Sequence, residues 1–263
     1  MQKTRRNRKR RNVLLTAIGT TTLLAASIFG ASVPMPAPKS LNQIVSALEQ
    51  TEQRKQHELQ AYSSTRRYIL KNARFNQDAE MIVKMDFSEE RGKHFEILSE
   101  HGTEGISRRV MRKVLDGEAE TSRTQAKEFS MVTTKNYDFR LLDSEIHAGR
   151  PCYKLEIKPK IKTKYLLEGK IWVDSSDFQL VRMEGYTAAS LSFWVGKPYI
   201  IFDFQKVGDY WLAARNQALT NARFLGPTEL TIEVQGYELQ PGHHQKLALE
   251  KLPRLQTLGI VAE

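Results

Sequence analysis

Six histidines, a single cysteine and 30 carboxylates are the side chains with which this chain of 263 residues could do acid–base, nucleophilic or metal chemistry. His94 with His101, and His243 with His244, are the local histidine groupings. A zinc site draws three or four ligands held by a second ring of partners, and neither cysteine nor carboxylate recurs here at ligand spacing. His243 and His244 therefore read as a solvated turn, and no metal is expected. The sequence contains no G-x-S-x-G, no phosphate loop, no G-x-G-x-x-G and no H-E-x-x-H. Carboxylates such as Glu156 and Glu233 fall on the wet faces of strands, Glu156 between Lys154 and Lys158, so no acid and base are placed together. The expectation is a protein that is not an enzyme and needs no cofactor. Cys152 has no second cysteine to pair with and reads as a small buried apolar group.

What remains is apolar. The aromatic residues Trp172, Phe193, Trp194, Tyr199, Phe202, Phe204, Tyr210 and Trp211 crowd one stretch, and on a curved sheet about half of them point inward, to fill a core or to line a cavity. Methionine supplies an adaptable lining for flexible chains and equally fills gaps in a core. The candidate cavity residues are Trp172, Phe193, Trp194, Phe202, Trp211, Met81, Met85 and Met183.

The element that must position them is a ladder over residues 169–237. Strands are expected near 169–174, 178–187, 192–195, 199–206, 210–220 and 228–238, punctuated by Asp174-Ser175-Ser176-Asp177, Gly196-Lys197-Pro198, Gly208-Asp209 and Gly226-Pro227. Such turns suit tight antiparallel connections better than helical crossovers. Upstream, Ser40 with Gln43 forms a capping-box pattern, and Leu41, Ile44, Val45 and Leu48 make one helical stripe. Strands follow at 65–70, 81–87 and 94–98. A second amphipathic helix places Ile106, Val110, Met111, Val114 and Leu115 on one face and Arg108, Arg109, Arg112 and Lys113 elsewhere. Strands resume at 137–145 and 150–158, where Tyr153, Leu155 and Ile157 alternate with lysine and glutamate. One dry face and one wet face mark an antiparallel sheet, and a short helix at 244–252 ends the pattern. The fold class is α+β, mainly antiparallel β: an incomplete, half-open barrel with helices covering its concave face.

The net charge of +10 invites a nucleic-acid reading, but seven of the 40 basic residues lie in the first twelve, leaving 33 basic against 30 acidic. A near-neutral body argues against a surface that tracks a nucleic-acid phosphate backbone, so no nucleic-acid partner is expected. The basic start followed by the apolar run 13–29 has the layout of a secretory signal. Cleavage near residue 32 or retention as an amino-terminal anchor both leave the body exported, with transient membrane contact or contact through that segment. The layout is a leader or anchor at 1–32, a proline-rich linker at 33–39, a half-barrel domain at 40–240 and a tail at 241–263.

With the leader, the segment GKIWVDSSDFQLVRMEG, the later SFWV and GDYWL, and LTIEVQGYEL, the chain resembles the bacterial outer-membrane lipoprotein-sorting superfamily, the LolA/LolB-like proteins. The matching positions are Gly169, Ile171, Trp172, Val173 and Asp174, then Glu184 and Gly185, then Trp211. The resemblance implies an incomplete antiparallel barrel closed by helices around an apolar cavity, with lipid or lipoprotein acyl chains as ligands, in a periplasmic carrier or chaperone. It also admits an envelope sensor that uses the same fold to hold a partner protein. No leader cysteine is present, which sets the chain apart from the lipoprotein receptor branch, and no binding residue is carried over.

Overall fold

Ser40 opens the first helix, α1 (Leu41–Glu58), with a complete capping box: its hydroxyl accepts from the Gln43 backbone while the Gln43 side chain accepts from the Ser40 backbone. Lys55 and His57 stand in its last turn, where positive charge favours the exposed carbonyls. These signals predict the helix, and the computed structural model of the chain shows it. The structure describes residues 39–240 apart from 73, 75–77, 103–104, 192–195 and 224–225, and excluding the side chains of 124–126 and 222.

Three strands follow, β1 (Ala61–Asn72), β2 (Ala79–Ser88) and β3 (Gly92–His101). The helices α2 (Ile106–Thr121) and α3 (Thr124–Ser130) then lead to seven more: β4 (Tyr137–His147), β5 (Arg150–Pro159), β6 (Leu167–Asp174), β7 (Leu180–Thr187), β8 (Tyr199–Val207), β9 (Tyr210–Ala222) and β10 (Gly226–Gln240). All ten strands form one sheet in the order β3-β2-β1-β10-β9-β8-β7-β6-β5-β4, with every neighbouring pair antiparallel. The sheet does not close, since β3 and β4 each pair on one side only. The open antiparallel architecture is the expected one. Among the described residues one pairing, β1 with β10, joins strands distant in the chain; the rest are between consecutive strands.

Register shows which residues share a face. Met81, Tyr68, Ile232, Asn216, Phe202, Met183, Ile171, Leu155 and Leu141 sit opposite one another in turn from β2 to β4. Helix α1 lays Ile44, Val45 and Leu48 on the β4–β8 part of this face, against Tyr153, Leu155, Ile157, Ile171 and Met183. Helix α2 lays Met111 and Leu115 on the other part, against Tyr68, Leu70, Met81, Val83 and Ile232. Both helices thus cover the same face.

Two details differ from expectation. Ile106 is 54% exposed, because the buried stripe of α2 runs one residue later, through Ser107, Met111 and Leu115. Helix α3 has no sequence signal: it spans seven residues, has no side-chain cap, and its Phe129 is exposed. The strand expected at 192–195 and the helix at 244–252 lie outside the described residues.

Candidate functional site

The covered face is mostly apolar, and its buried charge lies where β1 passes beneath α2. There Arg66, 2% exposed, alternates inward with Tyr68 and Leu70 and pairs with Glu118 of α2. Glu118 also accepts from Tyr68 Oη at 2.8 Å and from Lys93 Nζ at 3.0 Å. Lys93 reaches it from β3, and its backbone N–H donates to Ser122 Oγ at 2.8 Å, tying the end of α2 to the β2–β3 hairpin. Three cationic or phenolic groups from two strands therefore converge on one carboxylate of the helix.

Burial opposes ionisation of Glu118, yet the charges of Lys93 and Arg66, with hydrogen bonds from Lys93 and Tyr68, hold its pKa at about 2. Burial likewise disfavours the Arg66 guanidinium, but Glu118 together with Tyr68, Tyr62 and Tyr237 more than offsets this and raises its pKa. Burial lowers the pKa of Lys93, with Glu118 acting against the shift. A carboxyl whose folded pKa lies below its ordinary value of 4.5 adds stability above that value and loses it as pH falls. The hold on α2 is therefore expected to weaken progressively between about pH 4.5 and pH 2. Hydrogen exchange across α2 measures it: protection that falls no faster there than in α1 over this range would contradict the assignment.

Apart from this cluster, α2 is poorly secured. Its N-cap, Gly105, makes no side-chain cap bond, and no acidic residue lies in its first turn. Instead Arg108 and Arg109 stand there while Glu118 and Glu120 lie near its end, the reverse of what the helix dipole favours. Arg108 and Arg112 pair with Glu100 of β3, but both arginines are more than half exposed, and such pairs contribute little. A helix of 16 residues with this charge order forms only where tertiary contacts hold it.

The same face carries polar atoms without partners. Among the described residues, Ser64 Oγ, Arg66 Nε, Thr187 Oγ1 and Asn216 Oδ1 are buried and have no hydrogen-bond partner. Ser64 and Arg66 sit opposite Met85 and Val83, Asn216 opposite Ile232 and Phe202, and Thr187 two residues beyond Gly185 on β7. All four belong to the covered face.

Of the eight cavity candidates, Met81, Met85 and Met183 lie on this face and are buried, and Phe202 packs partly buried beside Met183. Trp172 and Trp211 do not join them. Trp172 alternates with Ile171 and Val173, and Trp211 with Tyr210 and Leu212, so strand pleating turns both indoles to the opposite face. There they cluster with Cys152 and Val181. Trp172 Nε1 donates to Glu145 at 2.5 Å and Trp211 Nε1 to Asp177 at 2.9 Å. Lys154 lies 5.0 Å above the first ring and Arg150 5.2 Å above the second. Phe193 and Trp194 lie outside the described residues.

Asp174, which ends the I-W-V-D run, is buried. It accepts from Arg150 Nε at 2.6 Å and from the backbone of Ser176 and Asp177 at 2.9 and 2.7 Å. It shapes the β6–β7 turn. Cys152 is fully buried, and burial with the nearby Asp174 pushes its thiol up to about 11. A disulfide reagent such as dithionitrobenzoate is expected to leave it unmodified in the folded protein and to titrate it after denaturation; rapid reaction under native conditions would show that this face opens.

Sequence reasoning passed over Arg66 and Glu118. Both occupy inward positions of periodic segments, Arg66 in step with Tyr68 and Leu70 and Glu118 in step with Met111 and Leu115. Among the described residues no group of three or more histidine, cysteine or carboxylate side chains is placed to hold a metal ion.

No protein-family profile and no curated protein sequence matches the chain. Solved structures do resemble it. An outer membrane lipoprotein-sorting protein domain from Vibrio parahaemolyticus is 16% identical, spans 75% of this chain and 93% of its own, and superposes with a TM-score of 0.40. A LolA superfamily protein from Nitrosomonas europaea is 10% identical over 79% of this chain and 97% of its own, with a TM-score of 0.40. A DUF1329 family protein from Desulfovibrio piger is 11% identical over 77% and 94%, with a TM-score of 0.41. No residue role is taken from these structures.

Proposed function

We propose that this chain is an exported envelope protein that binds an acyl chain between α2 and the covered face of the sheet, as a non-catalytic carrier. The observation that carries this reading is the mismatch between α2 and its seat. A helix with an unfavourable charge order lies on an apolar face through Met111, Leu115 and one buried ionic cluster. Displacing it exposes apolar surface flanked by Met81 and Met85, side chains that adapt to a flexible ligand. Each methylene taken from water there contributes about 0.8 kcal/mol, so an acyl chain could replace the helix contacts without polar recognition. The Arg66–Glu118 pair then acts as the latch that reseats the helix. Export rests on the basic and apolar leader at 1–32, which either is cleaved or anchors the domain in the inner membrane on its periplasmic side.

The test is direct. Organic extracts of the purified protein are examined by mass spectrometry for co-purified lipid, and a fluorescent fatty-acid analogue is titrated into delipidated protein. Saturable binding, made faster by Glu118→Gln, is expected. Absence of both lipid and probe binding would end the reading, and a stoichiometric protein partner without lipid would replace it with partner sensing.

A further inference from the structure

Lys93 has a second neighbourhood besides the latch. It lines a groove of about 490 Å³ at the end of the β1–β2–β3 region, together with Tyr62, Phe87, Arg91 and Arg123. A second groove, of about 460 Å³ along α2, shares Lys93 and Arg123 with the first. Tyr62 and Phe87 lie ring to ring at 5.0 Å and give the first groove an apolar wall.

Two acidic side chains also line it. Asp86 lies 3.8 Å from Lys84, and Glu238 accepts from Ser63 Oγ at 3.3 Å. Arg91 and Arg123 differ: both are exposed and neither has an ion pair among the described residues. Arg91 stands in the β2–β3 turn and Arg123 between α2 and α3, so two separate segments bring unpaired guanidinium groups to one groove. Their approach is set by Gly92, which lies against Ser122; a Cβ there would come within 2.6 Å of Ser122 Oγ. Guanidinium groups present donors in the fork that suits tetrahedral oxyanions, and an ammonium adds a point charge.

We infer that this groove binds a phosphate group, through Arg91, Arg123 and Lys93, with Tyr62 and Phe87 receiving the apolar part of the ester. The site does not depend on acyl binding under α2, since a water-soluble phosphate ester would occupy it equally. Lys93 would be shared between the bound anion and Glu118.

Calorimetric titration of the full chain with glycerol phosphate, dihexanoyl phosphatidate and uncharged dihexanoylglycerol tests the inference. Both phosphate-bearing probes are expected to bind, more weakly as salt rises. Arg91→Gln/Arg123→Gln is expected to reduce affinity about tenfold or more, the loss of at least one charge-assisted hydrogen bond. The thermal midpoint of this variant should match the parent, because both side chains are exposed. Binding of both phosphate probes alike assigns the site to a free phosphoester, and binding of the phosphatidate alone assigns it to a lipid headgroup. No binding of either, equal binding by the double variant, or dihexanoylglycerol binding as well as the phosphatidate would overturn it.

Discussion

Replacing Glu118 with leucine is expected to destabilise the protein by about 3–5 kcal/mol, because it strands the Arg66 guanidinium in an apolar interior. The Arg66 side chain is 3% exposed, its Nε already lacks a partner, and Lys93 would add uncompensated charge beside it. The double variant Arg66→Met/Glu118→Leu is expected to recover most of this loss, since buried ion pairs are often replaceable by apolar residues of similar size. Urea denaturation of the parent, both single variants and the double variant closes the cycle. A Glu118→Leu loss below about 1 kcal/mol, the range of an exposed pair, would show that α2 is not held this way.

The second large effect is expected at the glycine pair of β6 and β7. Gly169 and Gly185 are register partners. A Cβ on Gly169 would come within 2.0 Å of the Glu184 carbonyl oxygen, and one on Gly185 within 2.3 Å of that of Glu168. The obstacles are backbone atoms, so no rotamer change relieves them. Gly169→Ala and Gly185→Ala are each expected to destabilise by about 1–3 kcal/mol, the range of an overpacked core. Gly117 supplies the contrast. It lies inside α2 with open space where a Cβ would stand, so Gly117→Ala is expected to stabilise by about 0.5–1 kcal/mol. Unfolding midpoints decide both; alanine tolerated at 185 to within about 0.5 kcal/mol, the range of a neutral surface change, would mean that these strands can separate without loss.

Those glycines also show what was legible in the chain. The G-x-I-W-V-D and E-G signatures are readable, and their meaning is structural: two backbones in close approach, and an aspartate that forms a turn. Most of the ladder is readable for the same reason, since period-two alternation in β5 and in the middle of β10 is strong and turn residues separate the strands. Trp172 and Trp211 resisted prediction because a large aromatic signals burial without saying on which face. Only the register of Ile171 and Val173 with their neighbours decides that. The Arg66–Glu118 pair is hidden for a different reason. A search for apolar stripes discards Arg66 and Ser107 as interruptions, although Arg66 keeps the inward alternation of Tyr68 and Leu70, and Glu118 continues the spacing of Ser107, Met111 and Leu115. A polar residue kept at an inward position is information, and a template built on hydrophobicity removes it.

The pairing of β1 with β10 sets a schedule for folding. Ala61 meets Gln240 and Asn72 meets Thr228, so the first strand must wait for the last. The hairpins from β4 to β10 can form as each is made, because their contacts are local, but the two halves of the sheet join only when the whole chain is present. Closing so long a loop is entropically costly and slows the final step. A chain with this order of strands can leave a ribosome, or thread through a membrane pore, without completing its sheet on the way, and its last strand is what commits it to the folded state.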